Sequence, residues 1–259
     1  MIPTRLEVVI GYLRYPELYP ELLRLAGRGL FRRTDRGAQR QEAAAWCQER
    51  AVGFEEALRR LGAAPPEERF TRRHAGLLAS RRADTESCPF PMGAADLDLL
   101  HAVAEHLGAT RIVETGVAHG WSSLALLMSL STRAGGRLVS TDMLMPHPRA
   151  REFAGGVVPS ALKPLWTLIL RPDREALPRA LGRMPVVDLC HYDSDKSVEG
   201  RRWAYPLLWK ALRPGGVFVS DDVGDNLEFR DFAAEVGAAP IVMASDQKFV
   251  GLLVKSGRA

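Results

Sequence analysis

Residues 111–123 read Arg-Ile-Val-Glu-Thr-Gly-Val-Ala-His-Gly-Trp-Ser-Ser, and this stretch decides the fold. Residues 111–114 read as a short buried strand. Gly116 and Gly120 then allow a tight turn, and the apolar run from about residue 122 to 130 reads as a helix. A strand that enters a helix through a glycine turn opens a βαβ unit. Working outward, Asp96 is placed to cap a helix that shows Leu97, Leu100, Ala104 and Leu107 on one face and closes at Gly108. Downstream, strands at 137–141, 166–170, 186–191 and 217–220 alternate with helices near 148–155, 174–181, 198–212 and 227–236. The end, 241–244, a turn at 245–247 and 248–254, reads as an antiparallel hairpin. The fold class is α/β: a doubly wound, mainly parallel sheet ending in that hairpin. In such sheets a ligand lies beyond the carboxyl ends of the strands, at the topological switch point. Chemistry is therefore sought in the loops after the first, second, fourth and fifth strands.

The region before this alternation has a different texture. Two prolines and a glycine interrupt regular structure around residues 84–96, so we divide the chain into 1–90, a helical N-terminal cap, and 91–259, the α/β domain. Within the cap, residues 41–61 carry a helical stripe of Cys47, Ala51, Phe54, Leu58 and Leu61, stopped by Gly62 and Pro65-Pro66. Residues 12–30 read as a second, shorter helix. This cap is too small for a convincing core of its own, and it is the region expected to contact a substrate or a second copy of the chain.

Composition excludes several classes. The chain has 259 residues, 46% apolar and 25% charged, the profile of an ordered globular protein. No apolar run approaches the roughly 20 residues that span a bilayer. Glu7, Glu17 and Glu21 argue against a signal peptide. Cys47, Cys88 and Cys190 are odd in number and far apart, which favours reduced thiols and a cytoplasmic location over disulfides or a thiolate zinc site. The net charge of +4 sits wholly in residues 1–90, which hold sixteen Arg against twelve acidic residues. No basic block is interleaved with aromatics, so neither nucleic acid nor membrane is an expected partner.

Two loop groups carry the chemistry. Glu114, Gly116, Gly120 and Ser122 surround the first turn, and the second strand ends at Asp142, where an acid can accept two ribose hydroxyls. The turn lacks the dinucleotide and P-loop fingerprints. Together these residues point to a nucleoside ligand, although a plain tight turn would also use the glycines. The second group is Asp193 and Lys196 after the fourth strand, with Asp221-Asp222 after the fifth. These strands are expected to be neighbours, so the three carboxylates converge. An oxygen-rich, thiol-free cluster suits Mg²⁺ or Mn²⁺ rather than zinc. The alternative makes Asp193 a helix cap and Asp221-Asp222 solvated turn residues.

These segments resemble the motifs of class I S-adenosylmethionine-dependent methyltransferases with a Rossmann-like fold. They are most similar to the metal-dependent O-methyltransferases, such as catechol and caffeoyl-CoA O-methyltransferases and the bacterial sugar O-methyltransferases of antibiotic biosynthesis. The resemblance covers about residues 91–254. It implies that Glu114, Gly116, Gly120, Ser122, Asp142 and Asp193 bind S-adenosylmethionine, and that Asp193, Asp221 and Asp222 bind Mg²⁺ or Mn²⁺. Asp222 stands where the family usually has Asn. Lys196 matches the lysine assigned as general base, whereas His119 and His191 match nothing and read as packing or loop residues, His191 standing as the reserve base. The expected acceptor is a small hydroxylated molecule, preferably a sugar moiety of a natural product. The competing readings are a metal-independent methyltransferase and a noncatalytic nucleoside-binding subunit.

Overall fold

The structure, a computed structural model, describes residues 36–83, 94–143, 149–246 and 248–257, together with Ile10, Tyr15, Pro16, Tyr19, Leu23, Arg24, Thr85, Glu86 and Cys88. The helix expected over residues 12–30 and most of the break at 84–96 lie outside these residues.

Seven strands form one sheet: β1 (Arg111–Thr115), β2 (Arg137–Asp142), β3 (Trp166–Leu170), β4 (Val187–Tyr192), β5 (Leu212–Ser220), β6 (Ile241–Ser245) and β7 (Lys248–Val254). Their order is β3-β2-β1-β4-β5-β7-β6. The pairs from β3 to β5 are parallel, and β7 runs antiparallel to both β5 and β6. The Rossmann-like sheet and its terminal hairpin are thus as expected. The chain reverses its direction of winding between β1 and β4, and the switch point lies there. Asp188 fastens that junction at the opposite end of the strands: it accepts from the Thr110 and Arg111 amides at 3.0 and 2.9 Å and from Arg213 at 2.6 Å.

On one face α5 (Leu97–His106) and α6 (Trp121–Leu130) pack together, and α6 is buried nearly all round. Asp96 caps α5, its side chain accepting from the Leu99 amide at 2.9 Å. On the other face lie α8 (Asp173–Arg183), α9 (Val198–Ala211) and α10 (Glu228–Glu235). The short α7 (Ala150–Phe153) lies within the helical stretch expected near 148–155, and a 3-10 turn (Ser160–Leu165) follows it before β3. β5 begins five residues earlier than its apolar run. Gly215 and Gly216 are drawn into the sheet by Lys255, whose carbonyl accepts from Gly215 at 2.7 Å and whose amide donates to Gly216 at 3.0 Å.

The stripe over 41–61 is not one helix. It divides into α1 (Arg36–Arg50) and α2 (Phe54–Leu61), with Val52 between them pairing along the free edge of β6. The Val52 amide donates to Val242 and its carbonyl accepts from Ala244, both at 3.0 Å. The reason is the sheet edge. Cys47 packs into the core layer that holds α9, whereas Phe54, Leu58 and Leu61 pack into the layer that holds α5 and α6. One helix could not reach both faces. Beyond α2, α3 (Phe70–Arg73) and α4 (Ala75–Ala83) add Phe70 and Leu78 to the second of these layers.

Candidate functional site

The carboxyl ends of β1, β2 and β4 open onto a cavity of about 320 Å³, at the lower end of the roughly 300–1,000 Å³ usual for small-molecule sites. Gly116, Ser122, Asp142 and Asp193 line it, as do Trp121 and Trp203.

The turn after β1 is built by backbone conformation and one carboxylate. Gly116, Ala118 and Gly120 all have positive φ (81, 50 and 91°). The Val117 and Ala118 amides converge on Asp142 Oδ2 at 2.7 Å each, and this oxygen holds the turn shut. Asp142 Oδ1 takes no hydrogen bond from the described residues, so it remains for a ligand. Burial pushes the Asp142 carboxyl above its ordinary range despite the two amides.

The two glycines serve different neighbours. A Cβ on Gly116 would collide with the Asp193 carbonyl, so this glycine lets the β1 and β4 loops touch, and the Asp193 amide donates to the Thr115 carbonyl at 2.8 Å. A Cβ on Gly120 would lie 2.9 Å from Gly155 Cα and 3.2 Å from Val158. Gly120 therefore accommodates the 155–158 segment and itself stands at the N-cap of α6, while Ser122 lies inside the helix and lines the cavity.

Glu114 does not line the cavity. It is fully buried beneath the turn, accepting from Ser123 at 2.5 Å and Ser140 at 2.7 Å, with His191 Nδ1 3.4 Å away. His191 is a buried neighbour of this acid on β4 rather than a group at the site, as the packing reading expects. His119 is also buried, against Phe153, and burial lowers its pKa.

At the adjoining ends of β4 and β5, Asp193, Asp221 and Asp222 bring carboxylate oxygens within 4.8 Å of one another. Asp193 is not a helix cap: Ser197 caps α9, accepting from the Gly200 amide at 3.0 Å. Nor is Asp221 a solvated turn residue, being only 2% exposed. Lys196 reaches into the cluster, paired with Asp193 and, at 2.5 Å, with Asp222. A second lysine enters from β7: Lys248 Nζ lies 2.5 Å from Asp221 Oδ2 and donates to the Ala94 carbonyl at 2.9 Å. Burial works against the Lys196 charge, but Asp193, Asp221 and Asp222 outweigh it and hold the ammonium well above its usual range. For Asp222, burial is likewise outweighed, here by Lys196, Lys248 and Arg201, and its carboxyl stays low. Asp221 is pushed up by burial and by Asp193, and its Oδ1 is buried without a hydrogen-bond partner.

Three residues at the site escaped sequence reasoning. Lys248 stands in a hairpin, and its only signal was that lysine is rare here, five against thirty arginines. Arg24 pairs with Asp195 at 3.2 Å on the cavity wall, and nothing local in the sequence pointed there. Asp173 opens α8 at the same sheet edge, a position that the strand-end rule could have included. It accepts from Ser194 at 2.6 Å, while its Oδ1 is buried and unpartnered. Burial pushes its pKa up to about 6.

A family model described as "Methyltransferase domain" matches residues 113–223. No match was found among curated proteins. Among solved structures, the chain is similar to a cofactor-bound protein from MTB, Rv0187 (TM-score 0.56, 21% identity, 70% of this chain and 91% of that one). It is similar to an O-methyltransferase from Bacillus cereus in complex with SAH (0.55, 16%, 81% and 100%). It also resembles the O-methyltransferase TomG from Streptomyces achromogenes, involved in tomaymycin synthesis and solved with SAM (0.52, 19%, 86% and 100%). Residues 113–223 thus match the methyltransferase-domain model, and the solved structures share the Rossmann-like fold, in keeping with the class that the motifs imply.

Asp173 yields a pH prediction. Its folded pKa, about 6, exceeds its ordinary value, so between about pH 4 and 6 the folded state binds more protons than the unfolded state. Stability contributed by this group therefore falls as pH rises through that window. Asp173→Asn keeps an acceptor for Ser194 and removes the charge. We expect it to exceed the wild type in stability by on the order of 1–2 kcal/mol at neutral pH, with the gap closing near pH 4. Urea unfolding at the two pH values checks this.

Proposed function

We propose that the protein is an S-adenosylmethionine-dependent O-methyltransferase that uses a divalent ion, Mg²⁺ or Mn²⁺, and acts on a hydroxyl of a small polar molecule. The preferred acceptor is a sugar moiety of a natural product or glycan. The observation that carries this reading is the meeting of two sites at Asp193: the Asp142-braced turn on one side of it and the three-carboxylate cluster on the other. That the similar Bacillus cereus and Streptomyces proteins are O-methyltransferases favours oxygen as the acceptor atom, and TomG's role in tomaymycin synthesis favours natural-product chemistry.

The residues suit both groups. Asp142 Oδ1 and the positive-φ turn offer acceptors and close backbone approach to a nucleoside, and Trp121, Trp203 and Met143 offer apolar wall to the rest. The oxygen-only donor set suits a hard cation, and Asp221 Oδ1 is a buried acceptor with no hydrogen-bond partner among the described residues. S-adenosylmethionine supplies an electrophilic methyl group, and a divalent ion supplies a charge that favours the ionised acceptor.

The chain's own work is positioning and proton handling. Methyl transfer is an in-line displacement in which the acceptor oxygen forms a bond to carbon as the carbon–sulfur bond breaks, so alignment dominates. Asp142 fixes the nucleoside end through its hydroxyls, and the Gly116–Asp193 contact fixes that end relative to the carboxylates. Lys196 Nζ, in reach of Asp193 and Asp222, would take the acceptor proton once those carboxylates were drawn from it to a bound cation and the amine was left neutral.

A metal-independent enzyme is the second reading, favoured by the two lysines that already neutralise the cluster. Cys47, Cys88 and Cys190 form no disulfide among the described residues, which supports a reducing, cytoplasmic setting. No helix among the described residues is long and apolar enough to cross a membrane. Arg24 at the cavity supports an acceptor role for the N-terminal region, and a homo-oligomer is part of this reading.

Calorimetry should show S-adenosylmethionine binding to the wild type. Asp142→Ala should weaken it by about 1–3 kcal/mol, because ribose and turn amides both lose an acceptor. Against a panel of glycosides and vicinal diols, SAH release should stop in excess chelator and return with Mg²⁺; full turnover in chelator promotes the metal-independent reading. Lys196→Ala should lower turnover roughly 10²–10⁴-fold, and Lys196→Arg should not restore it, since a guanidinium stays charged. Turnover of Lys196→Ala within threefold of wild type across pH removes Lys196 as the base.

A further inference from the structure

Arg201 is the largest fully buried side chain among the described residues, and no ion pair to it is present among them. It lies one turn into α9, next to Gly200. A Cβ on Gly200 would collide with Asp195, so this glycine lets the start of α9 close onto the β4 loop. From there Arg201 Nη2 donates to the Asp222 carbonyl at 2.7 Å and to the Asp221 carbonyl at 3.1 Å, and Nη1 donates to Asn226 Oδ1 at 3.2 Å. Asn226 passes the connection on, its Nδ2 donating to the Lys196 carbonyl at 2.8 Å.

Three of these four links end on backbone carbonyls and one on the Asn226 side-chain amide; none ends on a carboxylate. A buried guanidinium is costly unless its hydrogens are matched; Arg201 Nε has no partner among the described residues, and the Nη2 end of the fork is spent on the main chain of both acidic residues after β5. Asp222 needs such support, because it is a non-glycine residue in the left-handed region (φ 51°, ψ 40°). Through Asn226 the same fork reaches the loop that carries Asp193 and Lys196. The two acidic loops come from different βα units, and β4–β5 pairing ends at Tyr192–Ser220, before either loop begins.

We propose that Arg201, acting with Asn226, is a positioning residue that locks the 193–196 and 221–222 loops into one register and so sets the spacing of Asp193, Asp221 and Asp222. The proposal rests on the reading of these carboxylates as a cation site. Lysine cannot replace Arg201, because one ammonium cannot bridge the two carbonyls and the amide in that fixed geometry.

The test combines Mn²⁺ titration with amide hydrogen exchange on the wild type, Arg201→Lys, Asn226→Ser and the exposed neighbour Arg202→Lys as control. Arg201→Lys should weaken Mn²⁺ binding at least tenfold and speed exchange in 194–197 and 221–226, and Asn226→Ser should weaken binding at least threefold. Arg202→Lys should match the wild type. A folded Arg201→Lys with a lowered melting temperature but Mn²⁺ affinity within twofold of wild type overturns the proposal, since a merely structural residue behaves so. If Arg201→Lys does not fold, Asn226→Ser decides by the same measure. If the wild type binds no Mn²⁺, the metal reading fails, and exchange then decides the clamp. Acceleration confined to the two loops upholds it, and unchanged or uniformly faster exchange overturns it.

Discussion

The contact between Gly116 and the Asp193 backbone is the constraint on which the site depends. β1 and β4 are neighbours at the switch point, and their loops can meet only if one of them lacks a side chain. Gly116 meets that need and also adopts the positive φ that the turn requires. From this contact the nucleoside-type turn extends to one side, braced by Asp142, and the carboxylate cluster extends to the other, beginning with Asp193 itself. A side chain at 116 therefore acts first on the β4 loop, and through it on both halves of the site.

Strand and helix order was legible because each element carries its own period and its own punctuation. The 111–123 stretch, the capped α5 and the final hairpin needed no tertiary information. Asp142, Asp193 and Asp221-Asp222 were legible because strand ends in a parallel sheet share one edge. The divided stripe at 41–61 was not, since Val52 leaves the helix only because β6 offers it a free edge, and an edge is a property of the assembled sheet. Glu114 shows the same limit. Strand alternation placed it at the turn, but whether it faces the cavity or the serines beneath depends on α6 and β2 packing over it. Lys248 and Arg201 reach the cluster from elements remote in sequence, where spacing carries no signal.

The site also departs from the economy of the core. Asp173 and Asp221 keep buried oxygens without partners, and burial pushes both carboxyls upward. Asp222 holds a backbone conformation that only glycine adopts freely. Such features lower stability and persist where the surroundings over-determine them. They cluster at the carboxyl edge of the sheet, while the opposite edge, around Asp188, is fully paired. This asymmetry is independent of any motif and marks the same end of the sheet as the motifs do.

Charge then joins two questions that look separate. Asp193, Asp221 and Asp222 are faced by Lys196, Lys248 and the nearby Arg201, three acids against three bases. If these bases are the permanent counter-ions, the cluster needs no metal, and Lys196, held protonated by its carboxylates, cannot accept a proton. If the carboxylates instead serve a cation, Lys196 loses the partners that keep it charged, and only then can it act as a base. Lys248 keeps the Ala94 carbonyl in either case, so it can release Asp221 without becoming an isolated charge. Lys196 has no second anchor among the described residues beyond the two aspartates. Metal dependence and the identity of the base are therefore one assignment, and evidence against either removes the physical reason for the other.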